Sequence, residues 1–327
     1  MVSEPATNAT HSGRWPNVFL SLNPIFRRAI LGATGNPLVS RGVRRYGMRL
    51  GASRFVAGER FDQCLPVLRG LNARGFRTNT TLLGEGVREE PAARAVLDEY
   101  LIVLDCIAQE RLTTNLSVKL THLGLDLGED FAYRHVAELT GRAATHDNFV
   151  RIDMEESTRV DATLRIYRRL RADGHDNVGT VLQSYLYRTD VDLDDLLPLA
   201  PNLRLVKGAY LEPASVARPK KADADTAYLR LAERMLAGTG FCALATHDER
   251  LIDHLIAFIA RAGIGPERVE FQMLYGIRPD LQAALVERGH RVLVATPYGP
   301  EWYPFLMRRL AERPANLLFF ARNLVRR

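Results

Sequence analysis

Five residues of this chain pair chemically capable side chains with settings where a solvated charge has no obvious place. Lys119 lies in SVKLT, Asp153 in RIDME, Gln183 in VLQSY, Lys207 in RLVKGAY and His247 in ATHDE, each toward the end of a run that reads as a strand. Two ammonium groups, a carboxylate, an amide and an imidazole on one rim could hold a charged small molecule and exchange protons with it, which is the business of an enzyme site. Each alone has a structural explanation, such as Asp153 pairing with Arg151, but five on different strands do not share one. Lysine usage points the same way. Only Lys119, Lys207, Lys220 and Lys221 are lysines and every other basic residue is arginine, so lysine is not the solubilising cation here.

His247 and Asp248 in ATHDE also invite a metal reading. A metal needs three or four convergent donors, and no HxxxH or HxH accompanies the pair, so no metal is expected. Neither GxGxxG after a strand nor GxxxxGK[ST] is present, so a dinucleotide would have to be held in another way. His122, His135, His175, His254 and His290 belong to no motif and default to structural or surface roles.

The elements that must position these residues follow from periodicity. RTNTTLL, NLSVKLT, FVRIDME, GTVLQSYL, NLRLVKGAY, FCALATH, VEFQMLY and RVLVATP read as eight strands. Between them lie helix-period stretches such as AARAVLDEYLIVLDCIAQ, VDATLRIYRRLRA, AYLRLAERMLA and LIDHLIAFIARA. Eight strand–helix units over roughly 250 residues match an α/β protein of the closed (β/α)8 barrel type better than an open doubly wound sheet. Within LSVKLT, Ser117, Lys119 and Thr121 share one face and Leu116, Val118 and Leu120 the other. In VRIDME, Arg151, Asp153 and Glu155 would point into the barrel while Val150, Ile152 and Met154 meet helices. Residues 1–75 are expected to form an N-terminal helical segment packing on the barrel of residues 76–327.

Composition narrows the class. The chain has 327 residues, enough for a sizeable core, and its formal charge of +6 is spread along the sequence, so no nucleic-acid partner is expected. Cys64, Cys106 and Cys242 are widely spaced and read as thiols in a reducing compartment. Met1 to Thr10 lacks the pattern of a signal peptide, and no apolar run approaches the roughly eighteen residues of a membrane span, so a cytoplasmic protein is expected.

One stretch resists this reading. FLMRRLAERP, Phe305 to Pro314, has helical character, yet it sets Arg308 and Arg309 between Met307 and Leu310. Arg308 and Glu312 are four apart and could be a surface pair contributing about 0.2 to 0.5 kcal/mol. The alternative is a pair of fixed cations with a specific partner.

In matching order over most of the chain, RFVAGE, LLGE, SVKLT, IDMEES, VLQSYL, RLVKGAY, ATHD, EFQMLYGIR and MRRLAE resemble the flavin-dependent proline dehydrogenases of the monofunctional bacterial type. The resemblance implies FAD as cofactor, oxidation of L-proline to pyrroline-5-carboxylate, and a quinone as electron acceptor, with peripheral membrane contact and no anchor. It implies that Arg308 and Arg309 grip the substrate carboxylate with Lys119 adding charge, a role suited to permanently charged guanidinium forks. Glu85 would form an ion-pair gate with Arg308, Asp153 would lie in the substrate pocket, and Tyr210 and Leu274 would wall it. Arg204 would lie near flavin N5 and Gln183 near the isoalloxazine edge. Met154, Lys207, Gly208, Ala209, Thr246 and His247 would line the FAD, with Lys221 toward its pyrophosphate or ribose.

Two positions depart from the family pattern. Ala295 stands where a tyrosine usually packs on the substrate ring, and Thr81 where an aspartate is usual. The first opens a second reading, the same chemistry on a bulkier cyclic imino acid such as 4-hydroxyproline, unless Tyr298 or Phe305 fills the space. A reading of another class, a ligand-binding barrel without turnover, would be marked by a protein that carries no flavin.

Overall fold

The computed structural model describes Met48 and residues 51–312, with side chains as far as Met307. The chain divides into two compact units, residues 51–302, and residues 1–50 with 303–327. The first unit contains helix α1 (Phe61–Ala73) and the eight strands β1 (Arg77–Leu82), β2 (Thr114–Val118), β3 (Val150–Ile152), β4 (Val178–Gln183), β5 (Asn202–Val206), β6 (Phe241–Ala245), β7 (Val269–Leu274) and β8 (Val292–Tyr298). All neighbours pair in parallel and β8 returns to β1, so the sheet is a closed barrel, as expected from the eight strand–helix units. Closure leaves no strand edge for another chain to pair with.

Seven helices connect the strands: α2 (Glu90–Gln109), α3 (Glu129–Ala144), α4 (Val160–Ala172), α5 (Thr189–Leu196), α6 (Lys221–Ala237), α7 (Glu249–Ala262) and α8 (Pro279–Glu287). An eighth, α9 (Trp302–Glu312), follows β8 and carries the backbone of Arg308 and Arg309. The side chains of both arginines lie outside the described residues, as does most of the expected N-terminal segment. Its last helix, α1, packs on the barrel: Asn72 Nδ2 donates to Phe76 O at 3.0 Å, and Cys64 Sγ lies 3.7 Å from Thr80 Oγ1 on β1. Gly75, with φ of +83°, ends this helix, and Phe76 N–H reaches back to Leu71 O at 3.2 Å, closing its last turn.

The alternation along the strands sorts the core into two layers. Leu116, Val118, Val150 and Ile152 are fully buried against the helices. The interior of the barrel is polar instead, and side-chain contacts that skip a strand identify it. Arg151 of β3 donates to Asn202 O of β5 at 2.8 Å, and Arg77 of β1 lies 3.2 Å from Glu270 of β7. Only side chains that converge on the barrel axis can meet across an intervening strand.

Candidate active site

At the C-terminal ends of the strands, two ion pairs and a cluster of four charges converge. Asp153, the residue after β3, continues the ladder for one more bond, its N–H donating to Val118 O at 2.9 Å. Its carboxylate therefore enters the barrel mouth, where Arg204 Nη1 of β5 donates to Oδ1 at 2.8 Å. Arg204 Nε donates to Gln272 Oε1 of β7 at 2.5 Å. Two of its three nitrogens are thus engaged, and the third, Nη2, has no partner among the described residues. Burial depresses the Arg204 pKa while Asp153 and Glu270 hold it up, so the guanidinium remains a fixed cation.

Lys119 follows β2 and pairs with Glu85 of the loop after β1. The turn that presents Lys119 is closed by His122 N–H and Leu123 N–H, both donating to Lys119 O, at 3.1 and 3.2 Å. Glu155, nearly fully buried, bonds to Thr121, accepting its N–H at 3.0 Å and its hydroxyl at 2.5 Å. Its carboxyl, raised in pKa by burial, ties the loops after β2 and β3 together. Gln183 Nε2 donates to Glu155 O at 2.9 Å and extends the tie to β4.

Beyond β5, Lys207 Nζ lies 2.6 Å from Asp225 and 3.4 Å from Asp248, and Lys221 pairs with the same two carboxylates. Burial pushes the Asp248 carboxyl up, but Lys207, Arg250 and Lys221 together bring it down to about 2. The pair of ammonium groups stands at the N-terminus of α6, whose first N–H groups have no side-chain cap. Such a helix end with two lysines suits an anion of phosphate type. Gly208 is required beside them. Its φ is +114°, and a Cβ would fall 2.1 Å from Cδ1 of Tyr185.

His247, two residues past β6, accepts the Leu274 N–H through Nε2 at 2.8 Å. A backbone N–H can only donate, so the ring is neutral at Nε2 and carries its proton on Nδ1. The loop from β5 to α6 is pinned over the mouth at two points. Glu212 accepts the Ser157 N–H and hydroxyl, both at 2.6 Å, and Arg218 Nη1 donates to Ser184 O and Leu186 O at 3.0 and 2.9 Å. Tyr210 and Ala209 lie within this loop.

The family model described as Proline dehydrogenase matches residues 64–322. Proline dehydrogenase 2 of Bacillus subtilis strain 168 is 38% identical over 303 residues, covering 93% of this chain and 100% of that one. Proline dehydrogenase of Deinococcus radiodurans is 39% identical over 309 residues, covering 93% and 99%. This chain belongs to the proline dehydrogenase family. It is an oxidoreductase of that family, which sets aside the barrel without turnover. The solved structure of proline utilization A from Bdellovibrio bacteriovorus, inactivated by N-propargylglycine, superposes with a TM-score of 0.78 at 23% identity and shares the barrel fold. That match covers 89% of this chain but 37% of the longer one.

In this proline dehydrogenase family member, the motif residues whose side chains are described fall on or just after strands β1 to β8, except Lys221 at the start of α6; the side chains of Arg308 and Arg309 lie outside the described residues. Arg204 and Asp153, expected near flavin and substrate respectively, are each other's partners. Leu274 and Ala295 are register neighbours on β7 and β8. Met154 is buried beside Asp153, and Thr246 accepts the Asp248 N–H at 3.1 Å. Thr81 meets the phenol of Tyr100 at 3.4 Å. Gln272 and Glu270, both within EFQMLYGIR, and Asp225 were given no role by the sequence reading, and Asp248 was weighed only as a metal ligand. Among the described residues no cluster of three or more histidine, cysteine, aspartate or glutamate side chains could hold a metal.

Proposed function

We propose that this enzyme uses FAD to oxidise L-proline to pyrroline-5-carboxylate and passes the electrons to a quinone. The observation that carries this reading is the Asp153–Arg204–Gln272 contact set, which leaves a buried permanent cation with one uncommitted nitrogen at the mouth of the barrel. A cation of this kind favours a reduced flavin. The residues fit the cofactor along its length: Arg204 and Gln183 toward the isoalloxazine, Met154, Gly208, Ala209, Thr246 and His247 along the body, and Lys207 and Lys221 toward the pyrophosphate. The relatives named proline dehydrogenase support the substrate class.

A bound FAD would supply the two-electron acceptor chemistry for hydride removal from the ring carbon beside the proline nitrogen. Lys119 supplies charge to the substrate carboxylate, with the guanidinium groups of Arg308 and Arg309 as its forks. Glu85 is proposed as the acidic arm of an ion-pair gate with Arg308 over the bound substrate. Tyr210, Leu274 and Ala295 wall the ring. Contact with a lipid-borne quinone is proposed to be peripheral; among the described residues no helix is long and apolar enough to cross a membrane.

The test is an absorbance scan of purified protein, followed by anaerobic addition of proline and then a soluble quinone. Flavin bands that bleach with proline and return with quinone support the reading. A colourless protein that takes up no added FAD overturns it. Arg309→Met is expected to keep the flavin and raise KM steeply, because loss of one fork from a desolvated carboxylate costs about 2 to 5 kcal/mol.

The second substrate reading has one observation behind it. Tyr298 points away from the barrel axis, its hydroxyl donating to Glu99 on α2 at 3.1 Å and its ring packing on Phe61 at 5.4 Å, so it does not fill the space beside Ala295. With Tyr298 committed elsewhere, 4-hydroxyproline is the competing substrate proposed for a pocket that Ala295 lines.

A further inference from the structure

A line of side chains runs through the barrel from its N-terminal face to the mouth. Arg77 Nε lies 3.2 Å from Glu270 Oε2, and Gln272 Nε2 donates to Glu270 Oε1 at 2.7 Å. Gln272 Oε1 accepts from Arg204 Nε at 2.5 Å, and Arg204 Nη1 donates to Asp153 at 2.8 Å. Three of these residues, Glu270, Gln272 and Arg204, are buried, whereas Arg77 at the outer end is about half exposed. Glu270 heads the EFQMLYGIR motif, but the sequence reading gave it no role.

The chemistry of an amide gives Glu270 a directional role. Gln272 has a donor end and an acceptor end that interchange on a flip, but a carboxylate only accepts. Glu270 therefore fixes Nε2 toward itself and Oε1 toward Arg204. With a neutral amide at position 270 either orientation is allowed, and the flipped one sets donor against donor and releases the guanidinium. Charge balance adds a second role. The interior cations Arg151 and Arg204 face the anions Asp153 and Glu270, and Arg151 is bonded only to neutral oxygens, Thr180 O, Asn202 O and Asn202 Oδ1. Without Glu270, one buried cation has no counter-charge, and in a poorly polarisable interior that excess reaches the mouth.

We propose that Glu270 is a positioning residue, which through Gln272 fixes the orientation of Arg204 and, as a buried anion, lowers the positive potential that a bound flavin meets. This rests on the FAD reading given above. The opposing effects on Arg204 agree with it, since burial pushes the guanidinium pKa down while Asp153 and Glu270 pull it up.

The experiment measures the midpoint potential of the bound flavin by dye equilibration, with kcat and KM for proline, in Glu270→Gln, Glu270→Asp and Arg77→Gln. Glu270→Gln is expected to move the potential up, with kcat down about tenfold and KM changed less than about threefold, since the carboxylate-binding groups are elsewhere. Glu270→Asp keeps the charge and should hold the potential near wild type. Arg77→Gln removes the outer cation and should move it down, by less because Arg77 is partly screened. A flavin-loaded Glu270→Gln protein with wild-type potential and kcat overturns the proposal. If that variant does not fold, Arg77→Gln decides: a downward shift supports the relay, and no shift or an upward one overturns it. Wild-type protein that takes up no flavin removes the functional reading and the relay together, whereas loaded protein with unmoved potentials removes the relay alone.

Discussion

Asp153 and Arg204 form an ion pair across the barrel, Oδ1 to Nη1 at 2.8 Å, with side chains 26% and 10% exposed. Neither strand of the pair neighbours the other, since β4 lies between them. Breaking a buried pair by removing one partner costs about 3 to 5 kcal/mol. Asp153 is a quarter exposed, so Asp153→Ala is expected to lower stability by somewhat less, about 2 to 3 kcal/mol. Activity should fall further, because the guanidinium, left with its Gln272 contact alone, is less firmly oriented, and kcat/KM should drop on the order of a hundredfold. Chemical denaturation and steady-state kinetics of the one variant check both parts.

Gly208 admits no side chain for two independent reasons. Its φ of +114° is strained for any L-residue, and a Cβ would overlap the Tyr185 ring at 2.1 Å. Gly208→Ala is therefore expected to lower Tm and weaken flavin retention. Adding Tyr185→Ala relieves the overlap but not the backbone strain, so the double variant should recover only part of the loss. Full recovery would mean that the ring contact alone matters.

His122 makes stability depend on pH in an accessible range. Its Nδ1 is buried with no partner among the described residues, and its ring packs on Gly84, where a Cβ would meet Nε2 at 2.3 Å. Burial, aided by Lys119, depresses its pKa from 6.5 to about 4. A base with a depressed folded pKa stabilises the fold above its unfolded pKa and loses that contribution as pH falls. Stability should therefore decline between pH 6.5 and about 4, by on the order of 2 to 3 kcal/mol from this group. His122→Leu should flatten that part of the profile in urea titrations at stepped pH. An unchanged slope would assign it to other groups.

The barrel was legible because eight short strand-like runs alternate with helix-period stretches, and each run became a strand. Strand ends were less so: FVRIDME reads as seven residues of strand, but only Val150–Ile152 form β3, and Glu155 lies beyond it, bonded to Thr121. The mouth residues were found by motif, yet the Asp153–Arg204 contact joins residues 51 apart across an intervening strand, and no local spacing encodes it. Glu270 and Gln272 could have been found. They alternate with Val269, Phe271 and Met273 just as Arg151 and Asp153 alternate with Val150 and Ile152, and the same inward-face rule applies to both strands. Asp225 was also within reach, four residues after Lys221 on one helix face.

Ala295 tests which substrate ring the mouth is shaped for. It lies on the inner face of β8, in register with Leu274 of β7 and Asn79 of β1, and is only partly buried. Tyr298, three residues on, is committed to Glu99 and Phe61 outside the barrel and cannot swing in without breaking both contacts. If Ala295 faces the substrate ring, Ala295→Tyr should improve proline binding by packing while excluding a hydroxylated ring by overpacking, each on the order of 1 to 3 kcal/mol. The measured quantity is the ratio of kcat/KM for proline to that for trans-4-hydroxyproline. A ratio that rises roughly tenfold or more in the variant places Ala295 against the substrate ring. An unchanged ratio with wild-type rates means that another side chain closes the pocket and that unsubstituted proline is what the wild-type site fits.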